Sequence, residues 1–122
     1  MTTGTTASGT YYLFNKKDQD VPIVFVHGVG LTHEIWQPQL EFFNYHSTLA
    51  YDILGHGKSS LENKEISFDD FSDQLIGLMD HLNIKKIHLV GFSIGSLVAR
   101  NFATKHNSVS YTHLTLPTIY SV

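Results

Sequence analysis

The chain has 122 residues, of which 42% are apolar and 16% are charged, a composition typical of a globular protein with at most one domain. Its net charge of −3 offers no basic surface for phosphate groups, which argues against nucleic acid as a partner. The absence of cysteine excludes disulfides and cysteine-based zinc sites and favours a reducing compartment, so we expect a cytoplasmic protein. No apolar run is long enough to span a bilayer, and we expect no membrane segment.

The first third of the chain predicts two strands and a glycine-bearing turn. Residues 1–10 are rich in Thr, Ser and Gly with almost nothing to bury, so we expect them to be mobile. Tyr11 to Phe14 predicts a short strand. Pro22 to Val26 is a continuous apolar run with β-branched residues, which indicates a strand buried on both faces. That run enters the turn His27-Gly28-Val29-Gly30.

The middle of the chain predicts a helix, a strand and a second helix. Apolar residues recur at helical spacing between Glu34 and Asn44, and among them Trp36 is expected in the core. Residues 47–51 predict a strand that is closed by Asp52. Ser67 and Asp70 form a capping pattern, and the residues that follow trace one apolar helix face: Phe68, Phe71, Leu75, Leu78, Met79 and Leu82.

A further strand and helix complete the pattern. Ile87 to Val90 reads as a buried strand, and Gly91-Phe92-Ser93-Ile94-Gly95 leads from it into a helix that begins near Ser96. Strands that alternate with helices in this way are joined in parallel, with the helices packed on the sheet. The sequence therefore predicts an α/β fold with a mostly parallel sheet and helices on both faces.

The pentapeptide at residues 91–95 matches the pattern G-x-S-x-G between a buried strand and a helix. A strand that reverses sharply into a helix strains its middle residue, and side chains at the flanking glycines, Gly91 and Gly95, would collide with neighbouring elements. Ser93 is thereby presented at the carboxyl end of its strand. We predict that Ser93 is a nucleophile.

Two backbone N–H groups are candidates to bind negative charge beside Ser93. The helix that starts behind Ser93 contributes unpaired N–H groups and a partial positive charge, which makes the Ile94 N–H one candidate. The second candidate is the Val29 N–H, because Gly28 and Gly30 let the backbone of that turn approach a substrate closely. We expect His27 to brace the turn by hydrogen bonding rather than to transfer protons.

The order of motifs along the chain resembles that of the α/β-hydrolases. These motifs are the turn His27-Gly28-Val29-Gly30, Trp36, the segment from Asp52 to Ser59 and the pentapeptide at 91–95. The likeness covers Val21 to His106 and is greatest to the esterase, enol-lactonase and cofactor-free haloperoxidase branch. It implies a serine hydrolase of a carboxylic ester, lactone or related small acyl substrate that needs no cofactor. The family places its acid and then its base after the nucleophile.

Other readings of the same residues are weighed against this one. Gly28-x-Gly30 followed by Asp52 imitates a dinucleotide-binding unit, but the third glycine of that fingerprint is replaced by His33. Eight histidines are present, yet none forms a helical i,i+4 pair with an acidic companion, so we expect no metal. A non-catalytic binding module on the same scaffold stays open, because a scaffold does not determine function.

The end of the chain departs from the family pattern. No Asp or Glu follows Ser93, so neither His106 nor His113 has an acid to orient it as a base. Residues 109–118 resemble the translation of a transposon-end adapter used in sequencing libraries. We therefore expect residues 11–108 to be a partial domain, residues 109–122 to be non-native, and residues 87–90 to form an exposed sheet edge.

Overall fold

A computed structural model of the chain describes residues 1–17, 21–60 and 66–106, together with the backbone of residues 110–116. The 3₁₀ turn His33–Trp36 leads directly into the first α-helix. The strands are β1 (Thr2–Thr5), β2 (Tyr11–Asn15), β3 (Ile23–Val26), β4 (Thr48–Tyr51), β5 (Lys86–Phe92) and β6 (Ser110–Leu116), and the helices are α1 (Gln37–Phe42), α2 (Phe68–His81) and α3 (Ile94–Lys105).

The described strands form one sheet in the order β1-β2-β4-β3-β5-β6. The central strand β3 runs parallel to both neighbours, with Val24 opposite Leu49 on β4 and Leu89 on β5. The pairs β1–β2 and β2–β4 are antiparallel. The predicted mostly parallel sheet is therefore confirmed, and the continuous apolar run of β3 is explained by its position in the middle.

The two faces of the sheet carry separate cores. Val24 and Leu49 face a cluster that includes Leu75 and Leu78 of α2 and the α3 residues Val98, Ala99 and Phe102. Phe25 and Ala50 point to the opposite face and pack with Trp36 and Leu40. Because consecutive strand residues alternate between faces, one strand supplies both cores, and helices cover both sides as predicted. The core position predicted for Trp36 is confirmed, since it is buried against the Phe25 ring.

The helix boundaries follow local chemistry. Ser67 caps α2 in a reciprocal capping box with Asp70, which confirms the predicted start of this helix. The helix predicted from Glu34 is instead split into the 3₁₀ turn and α1. Pro38 has no N–H to donate to the Glu34 carbonyl, so an α-helix cannot continue through that position, and the Gln37 N–H bonds to Glu34 instead. The third helix begins at Ile94, two residues before the predicted start.

The N-terminal residues form a strand that the sequence did not predict, while their mobility stays a prediction. Thr2 to Thr5 form β1, which pairs antiparallel with β2 so that Gly4 lies opposite Tyr12. Threonine has a high preference for strands, and the free edge of β2 offers backbone hydrogen bonds even where few side chains are buried. The prediction weighed side-chain burial alone and therefore missed this strand.

The edge predicted at β5 is also covered. The backbone of Ser110–Leu116 runs parallel to β5, with Ser110 opposite Lys86 and Leu116 opposite Phe92. This segment contains two Thr and one Tyr, which favour strands, and the edge of β5 presents backbone N–H and C=O groups with which such a segment can pair. The expectation of an exposed β5 edge is therefore wrong, while the proposed origin of residues 109–122 stays a prediction.

Among the described residues, no helix combines the length and the apolar character that crossing a bilayer requires.

Candidate active site

Ser93 occupies the sharp bend between β5 and α3. Its backbone has φ 59° and ψ −123°, and among the described residues only Asn83 shares a positive φ without being glycine. Such a conformation costs on the order of 1–3 kcal/mol for a residue with a side chain and persists only where the surroundings impose it. The strain is stored at the position predicted to be the nucleophile.

The two glycines of the bend are imposed by close backbone contacts. A Cβ atom at Gly91 would lie 2.6 Å from the carbonyl carbon of Gly95. A Cβ atom at Gly95 would lie 2.6 Å from the carbonyl oxygen of His27, at the end of the neighbouring strand. Both contacts are with backbone atoms, which cannot rotate away as a side chain can. The motif therefore holds α3 directly against the carboxyl ends of β5 and β3.

Residues 27–33, which we term the 27–33 loop, follow β3 and lie beside Ser93. Val26 is opposite Gly91 in the register, so β3 and β5 end at the same edge of the sheet. A Cβ atom at Gly28 would be 3.2 Å from the Ser93 Cβ atom, which shows that the loop backbone packs against this residue. The side chain of Val29 is 62% exposed. The structure thus brings together the two bends that the sequence singled out.

His27 is a buried brace between two strand ends. Its Nδ1–H donates to the Gly28 carbonyl at 2.7 Å, and its Nε2 accepts a hydrogen bond from the Ile53 N–H at 3.1 Å. Both ring nitrogens are occupied, so this histidine has no free nitrogen to act as a base. Burial lowers the pKa of the His27 imidazole below its ordinary value of 6.5, and the bond to Gly28 offsets this only in part.

The neutral state of His27 predicts a pH dependence of stability. Below pH 6.5 His27 is protonated in the unfolded chain but stays neutral in the folded chain, because its folded pKa is lower. The free energy of unfolding should therefore have its full value above pH 6.5 and decline as the pH falls toward the folded pKa. Urea unfolding of the wild type at several pH values measures this slope. His27→Gln should flatten it, whereas His81→Gln, at an exposed position in α2, should leave it unchanged.

Asp52 lies buried at the carboxyl end of β4. Its Oδ1 accepts hydrogen bonds from the backbone N–H and from the ring Nδ1–H of His33, each at 2.7 Å, and its Oδ2 accepts one from the Lys58 N–H at 2.9 Å. Burial alone would raise the pKa of the Asp52 carboxyl. The hydrogen bonds from Lys58 and His33 outweigh that effect and lower the pKa, so the group is ionised at neutral pH.

The downstream histidine His106 does not complete a site with Ser93. His106 lies at the far end of α3, which at ~1.5 Å per residue places it roughly 20 Å along the helix from Ser93. Its Nε2 is 3.8 Å from the Asp73 carboxylate of α2. His113 lies in the middle of β6, opposite Leu89. Within the part of the chain that the structure describes, no three His, Asp or Glu side chains are grouped as metal ligands.

The chain matches the family model described as the alpha/beta hydrolase fold over residues 21–113. The chain belongs to the α/β hydrolase fold family. The matched range contains the 27–33 loop, Asp52 and the bend at Ser93. The expected family is therefore confirmed by the match of the sequence.

Named relatives of this α/β hydrolase come from several bacteria. An (E)-2-((N-methylformamido)methylene)succinate hydrolase of Acinetobacter baylyi is 38% identical over 78 residues, which cover 63% of this chain and 30% of that protein. A 3-oxoadipate enol-lactonase of the same organism is 35% identical, covering 63% and 29%. The crystal structure of naproxen esterase from Bacillus subtilis matches with a TM-score of 0.80 at 27% identity, covering 92% and 40%. This chain thus spans less than half the length of each.

One part of the site escaped the sequence analysis. Asp52 follows the strand that it was predicted to close, and its contact with Lys58 also closes the loop after that strand. Its link to His33 is not predicted by any local pattern, because the two residues belong to different loops. A lone acid directly after a buried strand is a signal that could have pointed to such a partner.

Proposed function

We propose that the protein carrying this chain hydrolyses a carboxylic ester, a lactone or a related acyl substrate, with Ser93 as the nucleophile. The observation that carries the proposal is the strained backbone of Ser93, at φ 59° and ψ −123°, beside the glycine-bearing 27–33 loop. Strain of this kind is retained where function requires a particular direction of the side chain. The named relatives include a lactonase and an esterase, which supports the substrate class.

In the proposed reaction, the Ser93 hydroxyl oxygen attacks the carbonyl carbon of the substrate and loses its proton to a general base. The carbonyl oxygen becomes an oxyanion, for which the N–H groups of Val29 and Ile94 are the assigned donors. Ile94 is the first residue of α3, where N–H groups have no partner within the helix. Collapse of the intermediate expels the alcohol, and water then releases the acid from Ser93. None of these steps calls for a cofactor.

The general base and its orienting acid are assigned to residues outside this chain. His27 is occupied at both nitrogens, and His106 lies at the other end of α3 from Ser93. The chain spans 30% of its relative from Acinetobacter baylyi, so a longer protein has room for both groups. Without them Ser93 keeps its proton and is a weak nucleophile.

The experiment compares two proteins with one substrate, p-nitrophenyl acetate. The uninterrupted reading frame, recovered from the source DNA, should encode an acid and then a histidine after Ser93 and should hydrolyse the ester in the presence of EDTA. The 122-residue chain should show little or no turnover. A full-length protein that folds but leaves the ester intact would favour a binding module, and ester hydrolysis by the short chain would contradict the assignment of the base.

A further inference from the structure

We propose that Asp52 is a positioning residue whose carboxylate holds the 27–33 loop in place against Ser93. The inference rests on the proposed function, because the loop matters for catalysis only if its amides receive the oxyanion. It goes beyond that function in assigning the alignment of the amides to a residue that touches neither substrate nor nucleophile.

The 27–33 loop is tied at both ends to one dipeptide of the β4 end. At its start, the His27 ring accepts the Ile53 N–H at 3.1 Å. At its end, the backbone and the ring of His33 both donate to the Asp52 carboxylate at 2.7 Å. Between these anchors the loop is closed by a hydrogen bond of 3.2 Å from the Leu31 N–H to the Gly28 carbonyl. The position of the loop is therefore set by Asp52 and Ile53.

The carboxylate of Asp52 is itself held firmly. It is fully buried, and its second oxygen accepts the Lys58 N–H, which closes the loop after β4. The backbone of Gly57 is so close that a Cβ atom there would lie 2.8 Å from Oδ1. The backbone carbonyl of Asp52 accepts hydrogen bonds from the Ser59 hydroxyl and the Gln74 side-chain amide. An anchor bound on so many sides can transmit a defined position to the loop that it holds.

The loop needs such an anchor because its other side is in contact with the reacting residue. A Cβ atom at Gly28 would lie 3.2 Å from the Ser93 Cβ atom, so the loop backbone at Gly28 packs directly against the bend. Oxyanion donors must lie within about 3 Å of the developing charge, and a shift of about 1 Å removes most of their effect. Loosening the end at His33 should therefore misalign the Val29 N–H.

Asp52→Asn tests the inference in the full-length protein. An asparagine amide has one acceptor oxygen and no negative charge. It therefore cannot accept hydrogen bonds from His33 at one end and from the Lys58 N–H at the other, so the loop should loosen. For p-nitrophenyl acetate we expect kcat per titrated active site to fall by at least about tenfold while KM changes by less than about threefold, because oxyanion donors act mainly in the transition state. Hydrogen exchange of residues 28–33 should accelerate in parallel.

Two further variants keep the test decisive. His33→Ala removes the ring donor but leaves the backbone N–H, so it should give a smaller change in the same direction even if Asp52→Asn fails to fold. Asp80→Asn, at an exposed position on α2, should change neither measurement. Normal exchange and normal kcat in both loop variants would overturn the inference. If the wild-type protein had no esterase activity but hydrogen exchange of residues 28–33 were still faster in Asp52→Asn and His33→Ala, the anchor would be supported. That result would refute only the proposed function.

Discussion

Replacing Ser93 with alanine is expected to lower kcat/KM of the full-length protein for p-nitrophenyl acetate by at least about a thousandfold, since no other group can form the acyl intermediate. Stability should change little. Alanine and serine face the same backbone strain at φ 59°, so the substitution removes an oxygen without changing the conformation that the bend imposes. Steady-state kinetics and urea unfolding measure the two quantities separately.

The control for this prediction is Ser8→Ala, at an exposed position in the turn between β1 and β2. It should retain wild-type activity, which shows that loss of a serine hydroxyl elsewhere has no effect. Residual activity of Ser93→Ala within about tenfold of the wild type would mean that another nucleophile, or water activated directly, performs the reaction. That result would remove Ser93 from the mechanism.

Gly95→Ala is expected to lower the free energy of unfolding by about 3 kcal/mol or more, at the upper end of the range for an overpacked site. The added methyl group would meet the backbone carbonyls of Val26 and His27, so α3 would have to move away from β3. Movement of α3 also displaces Ile94 and Ser93 at its start. We therefore expect activity to be lost together with stability, as measured by urea unfolding and ester hydrolysis of the same preparation.

Gly77→Ala provides the matched control in the same fold. Gly77 lies in α2, and a Cβ atom there would meet nothing within 4 Å. Alanine favours helix over glycine by about 0.5–1 kcal/mol, so this variant should be slightly more stable than the wild type. If both variants shifted the free energy of unfolding equally, the contact between α3 and β3 would not be what restricts position 95.

Much of the fold could be predicted because its signals are local. The apolar run of β3 reports burial on both faces, and the Ser67–Asp70 pattern reports a capping box that the structure contains. The pentapeptide at 91–95 predicted a constrained bend because glycine spacing reports backbone contacts, and those contacts are present. In each case neighbouring residues along the chain carry the information.

The features that escaped prediction depend on distant partners. Strands β1 and β6 form by pairing with the free edges of β2 and β5, which a reading of side-chain burial does not register. The bond between His33 and Asp52 joins residues 19 positions apart, and it exists because β3 and β4 are parallel neighbours that end at the same edge. The sequence shows that both residues follow buried strands or their turns, but it does not show that the two residues are in contact.

The most direct test of the central claim is to locate the covalent adduct formed by a fluorophosphonate. The reagent should be mixed with the full-length protein, and the modified peptide identified by mass spectrometry after digestion. If Ser93 is an activated nucleophile at a bend built to receive negative charge, its oxygen displaces fluoride and the adduct lies on Ser93, with none in Ser93→Ala. An active enzyme that stays unmodified at Ser93, or carries the adduct on another residue, would contradict the account.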